Sequence, residues 1–225
     1  MVGKFIVLEG TDGSGKGTQF KLLAESLQKT GHLISSFDFP QYDKPSSYFV
    51  QQYLNGKYGS LDEIGPHAAS LLFTLDRLDS RAAMNEALSS GRIVLSNRFV
   101  ASNMAHQGSK ISDPNKRKEF FRWVENSEFE IFRLPRPDLN IVLHMPAEVA
   151  QKLVMSKESR SYLSGKKADI HESNLDHLKR TEQTYLEIAR LFPSQFTLIE
   201  CMDGSRLLSV EEIRAKVLAA VQKVL

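Results

Sequence analysis

The sequence predicts an α/β fold in which a five-stranded parallel sheet is flanked by helices in three layers. Short apolar runs rich in β-branched residues alternate with segments of helical periodicity, and a glycine-rich turn follows the first run. The 225 residues, 41% hydrophobic and 25% charged, are ordinary for one sizeable core, so we expect a single domain over residues 1–225. Function in such sheets collects at the carboxyl ends of the strands.

The first strand, Phe5 to Leu8, leads into a turn that is typical of phosphate binding. Its glycines free the backbone so that N–H groups can point at an anion, and Lys16 adds a mobile ammonium at the start of a helix. The pattern GxxxxGK[ST] is complete except at its last position, where Gly17 stands and the hydroxyl follows as Thr18. This P-loop signature predicts a nucleoside triphosphate site built from Gly10, Thr11, Asp12, Gly13, Ser14, Gly15, Lys16, Gly17 and Thr18.

A helix over 18–29, ending before Gly31, and a second strand over 32–37 complete a βαβ unit, whose crossover is right-handed. A short helix is predicted over 46–54. Pro66 begins a longer helix that we expect to run to Leu88, with an apolar stripe that includes Leu72, Leu75 and Ala82.

On that long helix Phe73, Arg77 and Arg81 lie four residues apart. An aromatic ring one turn before a guanidinium suits a planar heteroaromatic ligand. A helix with the Phe buried and the Arg solvated explains the same spacing, and spacing alone favours this second interpretation.

The third strand, over 92–97, ends at Asn97, where phosphate-binding folds usually place a carboxylate that handles the magnesium waters. Arg98 follows at once, beside the phosphate loop. Its position suits either a ligand of an acceptor phosphate or a structural ion pair. Helices are expected over 101–106 and 116–129.

The remaining chain predicts a strand over 137–144, a helix over 146–155, a helix over 173–191, a strand from Phe196 and a last helix over 210–224. The helices over 146–155 and 173–191 are separated by a polar segment with four cations, Lys157, Arg160, Lys166 and Lys167. It could close over phosphates as a basic lid, or be a solvated loop.

A formal charge of +2 does not favour a nucleic-acid surface, and the single Cys201 excludes a disulfide within the chain. No apolar stretch approaches the length of a membrane span and no charged-then-apolar leader precedes the first strand, so we expect no membrane partner and a cytoplasmic location.

These features together suggest phosphoryl transfer between two bound nucleotides. Such transfer asks for positioning and charge neutralisation, and a phosphate acceptor is already an anion near neutral pH. A sugar hydroxyl would instead need a carboxylate base, for which Asp38 or Asp12 would have to serve.

The chain resembles the thymidylate kinase family, on GTDGSGKGTQ at 10–19, FPQY at 39–42, LLFTLDR at 71–77, NRFVASNMAHQG at 97–108 and the 160–172 segment. The resemblance implies transfer from ATP to dTMP with Mg²⁺ by a homodimer. It also implies an acceptor region at about 38–108 and a lid at about 156–172.

The resemblance further implies a role for each matching residue. Asp12 would meet the sugar and a magnesium water, with Thr18 as a second candidate for the metal, and Lys16, Arg98 and Arg160 would be the catalytic cations beside Asp12. The implied dTMP ligands are Asp12, Phe39, Tyr42, Phe73 on the base, Arg77 at its carbonyl, Arg98 at the phosphate, Asn103 at the base edge, and His106, which stands where many relatives have Tyr.

Two alternatives remain at this point. A deoxynucleoside kinase or another monophosphate kinase would share most of these motifs. A nucleotide-binding regulator without catalysis is suggested only by Asn97.

Overall fold

The computed structural model describes residues 3–60, 63–155 and 175–225. Its main sheet contains five parallel strands in the order β2-β3-β1-β4-β5, which confirms the predicted sheet. The strands are β1 Lys4–Glu9, β2 Ile34–Asp38, β3 Ile93–Asn97, β4 Leu139–His144 and β5 Phe196–Glu200. The helices are α1 Lys16–Lys29, α2 Tyr48–Leu54, α3 Pro66–Asp79, α4 Arg81–Ser89, α5 Val100–Gly108, α6 Pro114–Glu125, α7 Ala147–Met155, α8 Leu175–Leu191 and α9 Val210–Val221.

Strand β1 lies at the centre of the sheet and separates two apolar cores. Phe5 and Val7 pack on one face among residues of α4, α5, α6 and α8, whereas Ile6 and Leu8 pack on the other among residues of α1 and α9. All four side chains are fully buried. The period of two along a strand therefore divides one apolar run between both faces of a three-layer fold.

The predicted helix over 66–88 is wrong in one respect, because it is two helices. Ser80, at φ −87° and ψ −6°, ends α3 and precedes α4. Its hydroxyl is buried and donates to Gln41 Oε1 at 2.7 Å. The break lets α3 pack against the loop after β2. Helix propensity along the sequence does not reveal it, because it depends on this tertiary contact.

The predicted apolar stripe of that helix holds at Leu72, which packs partly buried against a small core cluster, and is wrong at Leu75 and Ala82, which are exposed. Leu75 is 45% exposed, while Thr74, Asp76 and Arg77 are buried. Polar side chains point inward here because they build a site, so the usual rule of an apolar inner face fails.

Two further features were not predicted. A two-stranded antiparallel hairpin, β6 Met202–Asp203 and β7 Arg206–Leu207, joins β5 to α9. The helix expected over 116–129 ends at Glu125 and continues as a π-helical segment, Asn126–Ile131. In the described part of the chain, no helix is both long and apolar enough to cross a membrane.

Candidate active site

A cavity of ≈ 320 Å³ opens at the carboxyl ends of β1, β2 and β3, with α3 and α5 as its walls. Most of the predicted site residues meet there. Those that line it are Asp12, Gly13, Gly15, Lys16, Gly17, Phe39, Tyr42, Phe73, Arg77, Arg98, Asn103 and His106. Gly10, Thr11, Ser14 and Thr18 do not line it, and Arg160 lies outside the described residues.

The phosphate loop has the compact form that its glycines permit. Gly13 has φ +86°, and a Cβ there would lie 2.1 Å from the Ala150 carbonyl oxygen, so a larger residue would displace backbone. Lys16 is buried and its Nζ donates to Thr11 O at 2.7 Å. The ammonium thus lies folded against the loop at the start of α1. The hydroxyl-bearing Thr18 is exposed.

Arg98 contacts a carboxylate, a backbone carbonyl and a hydroxyl at the tip of β3. Its Nη2 pairs with Asp12, and its Nη1 donates to Gly10 O at 3.1 Å and to Ser102 Oγ at 3.0 Å. Burial is the largest single influence and opposes the charge, but the surrounding anionic groups, Asp12 foremost, together outweigh it and raise the pKa of the guanidinium. Arg98 also adopts φ +66°, which is uncommon for a residue with a side chain.

Glu9, which sequence reasoning missed, holds this turn in place. It is fully buried at the end of β1, and its Oε1 accepts from the backbone N–H groups of Phe99 at 2.8 Å and Ser102 at 3.1 Å. Its Oε2 accepts from Ser102 Oγ at 2.6 Å and from the Tyr185 hydroxyl at 2.9 Å. Burial raises the pKa of Glu9. The carboxylate therefore caps the start of α5 from a neighbouring strand.

His106 also faces Arg98, with its Nε2 3.3 Å from Arg98 Nη1. Because a guanidinium has only donors, Nε2 is the acceptor and the ring is neutral. Burial, and then the charge of Arg98, hold the pKa of His106 well below its usual value. His177 packs 5.8 Å from His106 between ring centroids, and burial lowers its pKa to about 4.

The far end of the cavity is built around a second arginine. Arg77 Nε donates to Glu128 Oε2 at 2.9 Å, and its Nη2 pairs with Glu128 Oε1. Glu128 is fully buried on the π-helical segment and was not foreseen from the sequence. Its Oε1 also accepts from Thr74 Oγ1 and from Asn103 Nδ2, each at 3.0 Å. Arg77 is therefore buried and paired with Glu128, so the alternative of a solvated Arg is wrong.

Aromatic rings and a loop anchor complete this end. Phe73 meets the Tyr53 ring edge-on at 5.9 Å between centroids, and Phe39 packs on Phe99 at 5.7 Å. The carboxylate of Asp76 accepts from Gln41 N at 2.9 Å and from Ser46 Oγ at 2.6 Å. This anchor fixes the loop that carries Phe39 and Tyr42 against α3.

Asn97 replaces the carboxylate usual at this strand end, yet a carboxylate lies beside it. Asn97 Nδ2 donates to Asp38 Oδ1 at 2.9 Å, and Asp12 lines the same cavity. Among the described residues, no three His, Cys, Asp or Glu side chains form a cluster that could hold a metal alone. Two separate carboxylates fit a magnesium ion whose remaining ligands are phosphate oxygens and water.

Comparison with known proteins agrees with this geometry. A sequence model of the thymidylate kinase family matches residues 8–213. A thymidylate kinase of Pelotomaculum thermopropionicum is 31% identical over 222 residues, covering 96% of this chain and 93% of the relative. One from Mycobacterium tuberculosis is 28% identical over 185 residues, covering 82% and 85%. The solved structure of a Candida albicans thymidylate kinase has a TM-score of 0.74 at 19% identity, over 99% of this chain and 92% of the other, and shows the shared fold.

Proposed function

The chain belongs to the thymidylate kinase family and is a dTMP kinase, and we propose that it transfers the γ-phosphoryl group of ATP directly to dTMP across the cavity. The observation that supports this assignment best is that Lys16, Asp12 and Arg98 line one cavity with Phe73, Arg77 and Asn103 at its other end. Such a cavity offers cations to two phosphate groups and an aromatic, hydrogen-bonding site to one base.

At the phosphate end, Lys16 and the loop amides bind the ATP phosphates, and Arg98 binds the phosphate of dTMP. Arg98 is held in the cavity by Asp12 and Gly10 O, so these contacts can be exchanged for phosphate oxygens when the acceptor arrives. No general base is needed, because the acceptor oxygen is ionised near neutral pH. Asp12 is the residue positioned to meet the sugar.

At the base end, Phe73 stacks on the thymine ring, Arg77 donates to a carbonyl oxygen and Asn103 meets the base edge. Phe39 and Tyr42 form the wall beside the sugar and phosphate. His106, which lines the cavity beside Arg98, would contact the sugar of dTMP.

Mg²⁺ would neutralise charge on the transferred group. Asp12 would contact the ion or its waters, and Asp38 would add a second carboxylate, since both line the same cavity. Thr18 remains a prediction as a metal ligand, as does Arg160 as the catalytic arginine of a lid. The single-domain organisation and the cytoplasmic location also stay predictions.

A homodimer is the assembly we propose. Leu71 and Leu75 on α3 are 38% and 45% exposed, and they form an apolar strip on the outer face of the helix that carries Phe73 and Arg77. Contact between two such faces would bury apolar area and support both sites. Sedimentation of the parent and of Leu75→Glu tests this: a dimer that becomes a monomer supports it, and a monomeric parent contradicts it.

A coupled ADP-release assay across the common nucleoside monophosphates and thymidine tests the transfer reaction. We expect dTMP to have the highest kcat/KM and thymidine to be inert. Faster phosphorylation of thymidine than of dTMP would identify a nucleoside kinase. No dTMP-dependent ADP release from folded protein would favour the inactive regulator.

A further inference from the structure

The contacts of Glu128 fix both groups at the base end of the cavity. One oxygen, Oε1, accepts from Asn103 Nδ2 at 3.0 Å and pairs with Arg77 Nη2, while Oε2 accepts from Arg77 Nε at 2.9 Å. Glu128 is fully buried and the Arg77 side chain is 3% exposed, so water does not compete for these bonds. Each carboxylate oxygen has two lone pairs, so Oε1 can accept from both Asn103 and Arg77, while the Thr74 hydroxyl, also 3.0 Å from Oε1, has Ser70 O as another acceptor at 2.9 Å.

These bonds decide which atoms of Arg77 and Asn103 remain for a ligand. With Nε and one N–H of Nη2 bound to Glu128, the donors left for a ligand are the second N–H of Nη2 and the two of Nη1, and residues 3–60, 63–155 and 175–225 supply no hydrogen-bond partner to Nη1. With its Nδ2 donating to Glu128 and to Ser70 O at 3.2 Å, Asn103 leaves its Oδ1, which is buried and has no partner in the described chain. Both residues line the cavity.

A donor from Arg77 and an acceptor from Asn103 therefore stand together at the cavity. The edge of thymine presents the matching order, an acceptor at O4 and a donor at N3–H. Cytosine presents the reverse order, an amino donor at C4 and an acceptor at N3. If the Asn103 amide were turned over, its NH₂ would face the base and its oxygen would face the Glu128 carboxylate, which electrostatics forbids.

We infer that Glu128 is the specificity-determining residue of the acceptor site, a positioning carboxylate that sets the donor and acceptor order by which thymine is distinguished from cytosine. The inference rests on the proposed contacts of Arg77 and Asn103 with the base. The π-helical segment gives it a structural reason, since a π-bulge places a side chain out of helical register and is frequent at functional sites.

The test compares the affinities of dTMP and 5-methyl-dCMP, which differ only in the base edge, by calorimetry. We expect the parent to favour dTMP by roughly 100-fold or more, since the wrong edge leaves buried polar groups unpaired. In Glu128→Gln an NH₂ faces the guanidinium in place of an oxygen, Arg77 is released, and the preference should fall to about tenfold or less.

The matched control is Glu130→Gln, two residues away on the same π-helical segment. Glu130 is 63% exposed and pairs with Arg136, away from the cavity. It should keep the parental preference. Full parental preference in folded Glu128→Gln would overturn the inference. Absence of a preference in the parent would instead contradict the proposed contacts of Arg77 and Asn103.

A measurement on the parent protects the test against a variant that does not fold. A guanidinium Nε–H bound to a buried carboxylate exchanges slowly, so ¹⁵N NMR at neutral pH should show a protected Arg77 Nε–H resonance, assigned by its loss in Arg77→Lys. We expect it in the free protein and unchanged with dTMP. Its absence in both states would overturn the role of Glu128.

Discussion

The two arginines of the cavity are held in opposite ways. Arg77 and Glu128 are almost completely buried, at 3% and 0% side-chain exposure, and form a bidentate pair. Arg98 and Asp12 are 13% and 16% exposed, and Arg98 divides its donors among a carboxylate, a backbone carbonyl, a hydroxyl and an imidazole. The base end is thus preformed, whereas the phosphate end is held by contacts that a phosphate can replace.

This difference follows the chemistry of the substrate. A base edge is the same before and after transfer, so rigid hydrogen-bonding groups recognise it without cost during the reaction. The acceptor phosphate of dTMP becomes bonded to the transferred phosphoryl group, and its charge is redistributed during the reaction. Its ligand, Arg98, must therefore stabilise the charge as it develops. Substitutions at the phosphate end should therefore lower kcat, and substitutions at the base end should mainly raise KM.

The largest expected effect is that of Arg98→Ala. It removes the cation at the acceptor phosphate, and we expect kcat to fall by roughly 10³-fold. ATP affinity should change little, because the phosphate loop is intact. Turnover equal to that of the parent would contradict the division between the two ends. Steady-state kinetics and ATP titration provide both numbers.

Arg77→Lys should act at the other end. An ammonium cannot reproduce the fork that binds both oxygens of Glu128, so the base loses its donor. We expect KM for dTMP to rise by roughly 10- to 100-fold with a smaller change in kcat. A fall in kcat with unchanged KM would mean that Arg77 acts on the transferred phosphoryl group and does not recognise the base.

Glu9→Gln should affect the phosphate end alone, because Glu9 supports the turn that carries Arg98. The amide has one acceptor oxygen where four donors converge, so the turn that carries Arg98 loosens. We expect kcat/KM for dTMP to fall roughly tenfold while thymidine affinity stays unchanged. Glu187→Gln, which breaks the Arg117 pair away from the cavity, is the control. Equal weakening of thymidine and dTMP would indicate a merely structural role.

The change with the smallest effect on catalysis concerns stability and comes from His177, which packs beside His106. The folded pKa of His177 is lowered to about 4, so between that value and about 6.5 the unfolded chain binds more protons. Stability contributed by neutral His177 is therefore complete above about pH 6.5 and is lost as pH falls towards 4. We expect urea unfolding at pH 5 to show a loss of about 2 kcal/mol relative to pH 7, reduced in His177→Gln. A stability that does not change over this range would contradict the burial of this ring.

Sequence reasoning found the parts whose signal is local. The glycine-rich turn before Lys16 and the Arg after β3 are local signals, and Gly13, Gly15 and Arg98 line the cavity. The spacing of Phe73 and Arg77 alone favoured a solvated Arg, and it was the family resemblance that implied a place for both in the site. The five parallel strands followed from the βαβ pattern, whereas their order in the sheet was not predicted. Apolar runs that alternate with segments of helical periodicity were enough to predict these strands.

The residues that hold the site in place carry no such signal. Glu128 lies 51 residues from Arg77, on a π-helical segment that helical periodicity does not predict. Glu9 ends an apolar strand, and its partners are backbone N–H groups about 90 residues away. The break at Ser80 depends on a hydrogen bond to Gln41. A buried carboxylate that directly follows an apolar run was the one local hint, at Glu9.

The most direct test is a crystal structure with dTMP bound. We expect the thymine N3–H and O4 edge within hydrogen-bond distance of Asn103 Oδ1 and Arg77 Nη1, with the Arg77 to Glu128 pair unchanged, and the phosphate on Arg98 in place of Gly10 O. A thymine ring away from Arg77, or a phosphate out of reach of Arg98, would contradict the account.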